Sequence, residues 1–349
     1  MKRSLNVARL LAAVTAGCAL STMAPAAAQT NVTLYGLLDA YVGHYSDTVP
    51  ARISDTVVGS GGLTTSFFGI RGSEDLGSGL RGVFAMESFL RLDTGTPGRF
   101  GADPFWSRTA NVGLAGGFGT FVLGRNTTPF FLATVFHNPL GDSFVVGPAI
   151  THVFRGNVLG DTGMSNSLRY TSPTFGGLRA DVLYSLGNEV GSGPDKGTGE
   201  AIDSALFYGG GPFSAALGYR SIDLSANGDG HDQKSFIVGA SYALSFAKLQ
   251  AQYVNSKDTF DVLPEFKRRT FQIGASVPIG AGAVLLSYAD TKLTDTSATT
   301  PNKRKTWAVG YDYTLSKRAD LYAVYYGDEL TEPQGNKQKY AVLGLRHRF

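Results

Sequence analysis

Apolar and polar residues alternate one by one along most of this chain. That is the period of a β-strand, whose successive side chains point to opposite faces. In 31–42, Val32, Leu34, Leu38, Ala40 and Val42 share one parity, and Asn31, Thr33, Tyr35 and Asp39 take the other. In 80–92, Leu80, Phe84, Met86, Leu90 and Leu92 oppose Arg81, Glu87 and Arg91. In 306–313, Trp307, Val309, Tyr311 and Tyr313 oppose Thr306, Gly310 and Asp312. About sixteen such segments follow, near 32–45, 63–73, 80–92, 106–115, 119–126, 166–172, 178–188, 201–208, 213–223, 233–243, 247–258, 267–277, 282–293, 303–313, 319–330 and 337–349.

The connectors alternate in length. Short ones fall at 74–79, 116–118, 173–177, 209–212, 244–246, 278–281 and 314–318, and long ones at 46–62, 93–105, 127–165, 188–200, 224–232, 259–266, 294–302 and 331–336. Tight turns at one end and long loops at the other are the signature of an up-and-down barrel in a bacterial outer membrane. Every proline after residue 28 falls in a connector on this reading, as hydrogen-bonded ladders require. A soluble sandwich or propeller also alternates, but it need not segregate its connectors by length, and no blade-length repeat is visible. The last segment, with Leu343, Leu345 and Phe349 on one parity and Arg346 and Arg348 on the other, is suited to closing the sheet against the first. The expected fold is an all-β, 16-stranded antiparallel transmembrane barrel.

One connector is unlike the rest. Segment 127–165 carries Phe130, Phe131, Leu132, Val135, Phe136, Phe144, Val145, Val146, Val153 and Phe154, too apolar for a solvated loop. Pro129, Pro139, Pro148 and Gly141 break it too often for a strand. A loop this long in a compact domain is usually either functional or a sign that the strand assignment is wrong; on the first reading this one folds back into the barrel lumen as a constriction.

Composition changes the picture mainly at the start. Lys2, Arg3 and Arg9, the apolar run 10–20 and Ala26-Ala27-Ala28 read as a signal peptide over 1–28, leaving 29–349 as the barrel. Cys18 is a poor lipidation site because Thr15 stands where an aliphatic residue is wanted. Of the 31 Lys and Arg, three lie in that segment; its removal leaves 28, against 28 Asp and Glu. The mature chain is then formally neutral, with no charge argument for nucleic acid, and the single cysteine leaves with the signal, so no disulfide remains. No apolar run is long enough for a transmembrane helix. The 45 glycines, 22 phenylalanines and 16 tyrosines favour strands and turns.

Several stretches in order carry a family resemblance: Leu34-Tyr35-Gly36, Phe68-Gly69-Ile70-Arg71-Gly72-Ser73-Glu74-Asp75-Leu76-Gly77, Val112-Gly113-Leu114 before Phe118-Gly119-Thr120, Leu123-Gly124-Arg125-Asn126, Tyr170-Thr171-Ser172-Pro173, and Gly344-Leu345-Arg346-His347-Arg348-Phe349. Together the chain resembles the general porins of Gram-negative bacteria, especially the β-proteobacterial type, over essentially its whole mature length. The resemblance implies a homotrimer in the outer membrane, surrounded by lipid and lipopolysaccharide. It also implies passive passage of ions and small hydrophilic solutes, and a third external loop folded inward. Such eyelets set basic wall residues against acidic loop residues, a transverse field that biases ion choice.

Carried onto this sequence, the resemblance makes Arg71 and Arg108 the wall arginines and Asp142 the main loop acid, with Arg155 joining them near the loop's return. Arg169 and Arg179 share parity with Thr171 and Asp181 and are expected on the secondary lumen wall, with Asp161 as a further acid. Two departures matter: Phe67 stands where the family carries another arginine, and Pro139-Leu140-Gly141-Asp142 lacks the family's glutamate. Few loop acids against several arginines predict weak to moderate anion preference. Arg125 shares the outward parity of Phe121 and Leu123, and is expected at a subunit contact with Asp93 or Asp103 of a neighbour, or snorkelling at the membrane rim.

No catalytic set is visible, so the chain is not expected to be an enzyme. His44, His137, His152, His231 and His347 form no metal-ligand spacing, and no cofactor is implied. The run 223–234 begins like a calcium loop but has Lys234 at its twelfth position. An active transporter would need about 22 strands and a plug. The rival within the class is a channel selective for a sugar or small organic anion, with loop aromatics as a stacking path.

Overall fold

A computed structural model describes residues 31–48, 53–155, 157–187, 199–225, 230–261, 264–295, 302–330 and 335–349. The segment read as a signal peptide and part of the calcium-like run lie outside these.

The strands are β1 (Asn31–Asp47), β2 (Ile53–Ser60), β3 (Phe67–Gly77), β4 (Leu80–Arg91), β5 (Thr96–Pro97), β6 (Thr109–Gly116), β7 (Gly119–Thr127), β8 (Gly163–Thr171), β9 (Leu178–Leu186), β10 (Glu200–Gly210), β11 (Phe213–Asp223), β12 (Asp232–Ala243), β13 (Lys248–Thr259), β14 (Phe266–Ile279), β15 (Gly282–Asp295), β16 (Asn302–Thr314), β17 (Ala319–Leu330) and β18 (Asn336–Arg348). All pairings are antiparallel, and β1 closes the ring on β18 from Leu37↔Arg348 to Asp47↔Gln338. Of these eighteen, β5 pairs only with β4 over two residues, and β2 and β3 together make one interrupted neighbour of β1, leaving a closed barrel of sixteen.

The faces are inverted relative to a water-soluble protein. On β1, Val32, Leu34 and Val42 are exposed while Leu37, Asp39 and Tyr41 are buried. On β9, Val182, Tyr184 and Leu186 are exposed while Asp181, Leu183 and Ser185 are buried. An exposed apolar face running around a closed barrel has lipid as its solvent, and closure satisfies every ladder there. Among the described residues no helix is long and apolar enough to cross a membrane.

Three details depart from the sequence reading. The connector 46–62 contains β2, which continues the β1 ladder from Ala40↔Ser60 to Asp47↔Ile53. The break between β2 and β3 is held by Asp39, whose carboxylate accepts from the amides of Gly62 at 3.0 Å and of Leu63 and Thr64 at 2.9 Å, and from Tyr322 Oη at 2.5 Å. Pro278 lies inside β14, at the turn end of its ladder with β15, where a missing amide costs least.

The third departure is helical. Segment 127–165 contains α1 (Pro129–Phe136) and α2 (Pro148–Phe154). Each begins with proline in its first turn, where the missing amide is no loss. Thr128 caps α1 by accepting from Phe131 N at 3.3 Å.

Both helices lie on the polar face of the sheet, α1 against β10–β12 and α2 against β14–β16. Phe130, Ala133 and Val153 pack with Phe207, Ala216 and Ile237, and Leu140 and Val146 with Tyr41, Tyr322 and Val342. The wall is bare where the segment rests. A Cβ on Gly239 would lie 2.9 Å from His137 Cγ, and one on Gly274 2.6 Å from Pro139 Cδ.

Candidate functional site

Polar anchors fix the segment before any question of function arises. Fully buried Arg220 donates to Asp203 at 2.6 Å, to Thr128 Oγ1 at 2.7 Å and to the carbonyl of Leu159 at 3.2 Å, while Asp203 accepts from Phe130 N at 2.8 Å. One ion pair thus ties both ends of the segment to β10 and β11. His152 on α2 hydrogen-bonds Thr291 Oγ1 at 2.7 Å and Thr306 Oγ1 at 2.5 Å. Burial, with Arg304 nearby, pushes its pKa well down, so the ring is neutral.

Between this segment and the opposite wall lies a cavity of about 320 Å³ lined by Arg108, Arg169, Asp142, Phe131, Phe136 and Phe144. Arg108 pairs with Glu87 and lies over the Phe67 ring, its guanidinium carbon 3.9 Å from the centroid. The aromatic residue at the family's arginine position therefore acts as a cation–π platform. Glu87 also accepts from Tyr35 Oη at 2.5 Å. Arg169 is paired with Asp181 at 2.5 Å. Burial raises the Asp142 carboxyl above its ordinary value, with Arg108 and a hydrogen bond to Thr64 pulling the other way.

The remaining sequence candidates are dispersed. Arg71 packs over Tyr35 at 4.6 Å and lines a separate recess with Arg81 and Thr33. Arg179 faces the Phe207 ring at 4.8 Å, with its Nε buried and without a partner. Arg155 lines two further cavities of about 340 Å³ each and has no acidic partner among the described residues. Arg108 and Arg169 thus carry compensated charge, whereas Arg71, Arg155 and Arg179 form no ion pair among the described residues.

Arg125 finds its acid within the chain. β7 shifts register against β8 between Gly124 and Asn126, and Arg125 donates to Asp161 and to the Ser107 carbonyl, both at 2.5 Å. Asp161 also accepts from Arg99 at 2.7 Å, and Arg99 holds Asp103 at 2.9 Å. Asp93 is exposed. Asp161 and Asp103, read as a wall acid and a partner for a neighbour, belong to one network joining the 93–105 connector to the end of the 127–165 segment.

Burial would raise the Asp161 carboxyl, but the Arg99 hydrogen bond and the charges of Arg99 and Arg125 outweigh it and hold the pKa at about 2, below the ordinary 3.8. A depressed carboxylate stabilises the fold above its unfolded pKa and loses that contribution as pH falls through the folded one. Asp161→Asn is therefore expected to unfold at lower temperature than wild type at neutral pH, and the two midpoints to converge between 3.8 and about 2. A gap unchanged at the acid end would mean that Asp161 acts through packing alone.

Parity would have located Asp203 and Arg220, since Ile202, Leu206, Leu217 and Tyr219 are the exposed neighbours on their strands. Nothing in the spacing shows that they meet. Among the described residues no three His, Cys, Asp or Glu side chains are grouped to hold a metal.

A closed sixteen-stranded barrel, apolar outside and lined by arginines and carboxylates, defines an outer-membrane channel rather than an enzyme. The family model of the Gram-negative porins matches residues 12–332, and the chain belongs to that family. It is 32% identical to outer membrane porin protein 32 of Delftia acidovorans over all of both chains, and 27% identical to an outer membrane porin protein of Bordetella pertussis, again over all of both. Among solved structures it superposes on an anion-selective porin from Comamonas acidovorans with TM-score 0.79 and 27% identity, covering 92% of this chain and 100% of that one. The protein is a passive channel of the bacterial outer membrane.

Proposed function

We propose that the channel is weakly to moderately anion-selective, with segment 127–165 as the inward third loop that narrows it. The observation that carries this reading is the uncompensated Arg155 beside a loop whose main acid, Asp142, is half-buried and raised in pKa. The other loop acid, Asp161, is already claimed by two arginines. Positive charge left over along a confined path enriches anions over cations. The similar Comamonas acidovorans porin, described as anion-selective, supports the same sign.

The first 28 residues are read as a cleaved export signal. The working unit is proposed to be a homotrimer embedded in lipid and lipopolysaccharide. Arg125 and Asp103 being engaged internally, the subunit contact through the 93–105 connector rests on exposed Asp93, Phe100 and Phe105. Planar-bilayer recordings in a KCl gradient test the selectivity: the reversal potential is expected on the chloride side of zero, and a clear potassium preference overturns the reading.

A further inference from the structure

On the long-connector side, one of the two recesses of about 340 Å³ that Arg155 lines has a different character. One wall is aromatic. Tyr41 and Tyr340 meet edge to face with centroids 6.2 Å apart and hydroxyls 3.3 Å apart, and Tyr45 leans on Tyr340 at 5.8 Å. Tyr326 and Val145 continue the apolar lining. The cationic side is formed by Arg155 and Arg304. Arg304 is committed to Asp328 at 2.9 Å and to the Thr151 carbonyl at 3.1 Å, so its charge is balanced. At the rim, Asp47 accepts from Gln338 at 2.6 Å and Lys339 stands nearby. Among the described residues Arg155 makes no ion pair, Asp47 at the rim being engaged elsewhere, and it shares the recess with four phenol rings.

We propose that this recess is a weak binding subsite for small aromatic carboxylates on their way through the channel. A guanidinium presents a planar fork of donors that matches a carboxylate in two-point fashion. Tyrosine rings add edge and face contacts to a planar ring. The volume lies in the ~300–1,000 Å³ range of small-molecule sites. A simple sugar would leave Arg155 without its counter-charge, and an inorganic anion would leave the tyrosines unused. A solute carrying both features engages both, and weak binding shortens its search without trapping it. The inference rests on the anion-channel reading and adds a solute class to it.

The test is block of the KCl current by benzoate, acetate and phenol, each added on the long-connector side to channels first shown to open in KCl alone. Benzoate is expected to reduce the current reversibly at a concentration about 2- to 10-fold below acetate for each ring contact made, and phenol to act more weakly than benzoate. Arg155→Gln should remove the advantage of benzoate over phenol, and Tyr340→Leu its advantage over acetate, each read against that variant's own open current. Equal potency of benzoate and acetate on the wild-type channel overturns the proposal, whatever the variants do. A channel that prefers potassium overturns instead the selectivity reading beneath it.

Discussion

Arg220→Met is expected to lower the thermal unfolding midpoint of the detergent-solubilised barrel more than any lumen substitution named above. The guanidinium and its partner Asp203 are both fully buried at 2.6 Å. Removing one partner strands the other's charge, at a cost of about 3–5 kcal/mol. The same change frees Thr128, the stretch of chain at Leu159 and, through Asp203, the first turn of α1. Conductance should therefore become noisier as well as the fold weaker. Pairing the change with Asp203→Leu removes the stranded carboxylate, so the double variant is expected to be more stable than Arg220→Met alone. A double variant no better than the single one would show that the loss comes from packing against Phe130 and Phe154, whose rings flank the guanidinium.

The second large effect concerns selectivity. Arg108 and Arg169 line the cavity beside segment 127–165, yet each is already matched by an acid, Glu87 and Asp181. Deleting either arginine leaves a net negative group behind, close to where the positive one stood. Among the described residues Arg155 has no such partner, so Arg155→Glu replaces an unpaired cation with a carboxylate. The reversal potential in a KCl gradient is expected to change sign in Arg155→Glu and to move in the same direction, by less, in Arg155→Gln. A potential that stays on the chloride side in Arg155→Glu would place the selecting charge elsewhere, with Arg71 the next unpaired candidate. High salt should shrink all these differences, since the Debye length falls to about 3 Å at 1 M.

What the sequence disclosed follows from which interactions are local. Strand faces were legible because lipid imposes period two on every strand, and parity placed Tyr35, Asp39, Asp181 and Glu87 on the polar side. The helices were not. Pro129–Phe136 is PFFLATVF, apolar all round, because it packs on the wall on one side and on its own loop on the other, so no 3.6-residue stripe marks it. β2 escaped because Val57 and Val58 are adjacent, which blurs the alternation. The partner of Arg125 was sought in another subunit because parity put the residue outward. Within the chain a bulge and an acid 36 residues further on engage it, and neither leaves a mark in spacing. The wall arginines were read as a group, whereas their ion pairs divide them into compensated and uncompensated sets.

The interrupted strand facing β1 bears on how the barrel is assembled. The two ends of the chain meet only at closure, where Gly36 and Phe349 exchange backbone hydrogen bonds at 3.2 and 3.1 Å. Asp39 sits a few residues from that seam, and its ligands come from the β2–β3 break on one side and from Tyr322, one strand before the end, on the other. A slip of the seam by one residue would turn Asp39 toward lipid and leave three amides and a phenol without their acceptor. Asp39 thus adds to the lipid-facing alternation, which already penalises such a slip, a set of hydrogen bonds that the observed closing register completes.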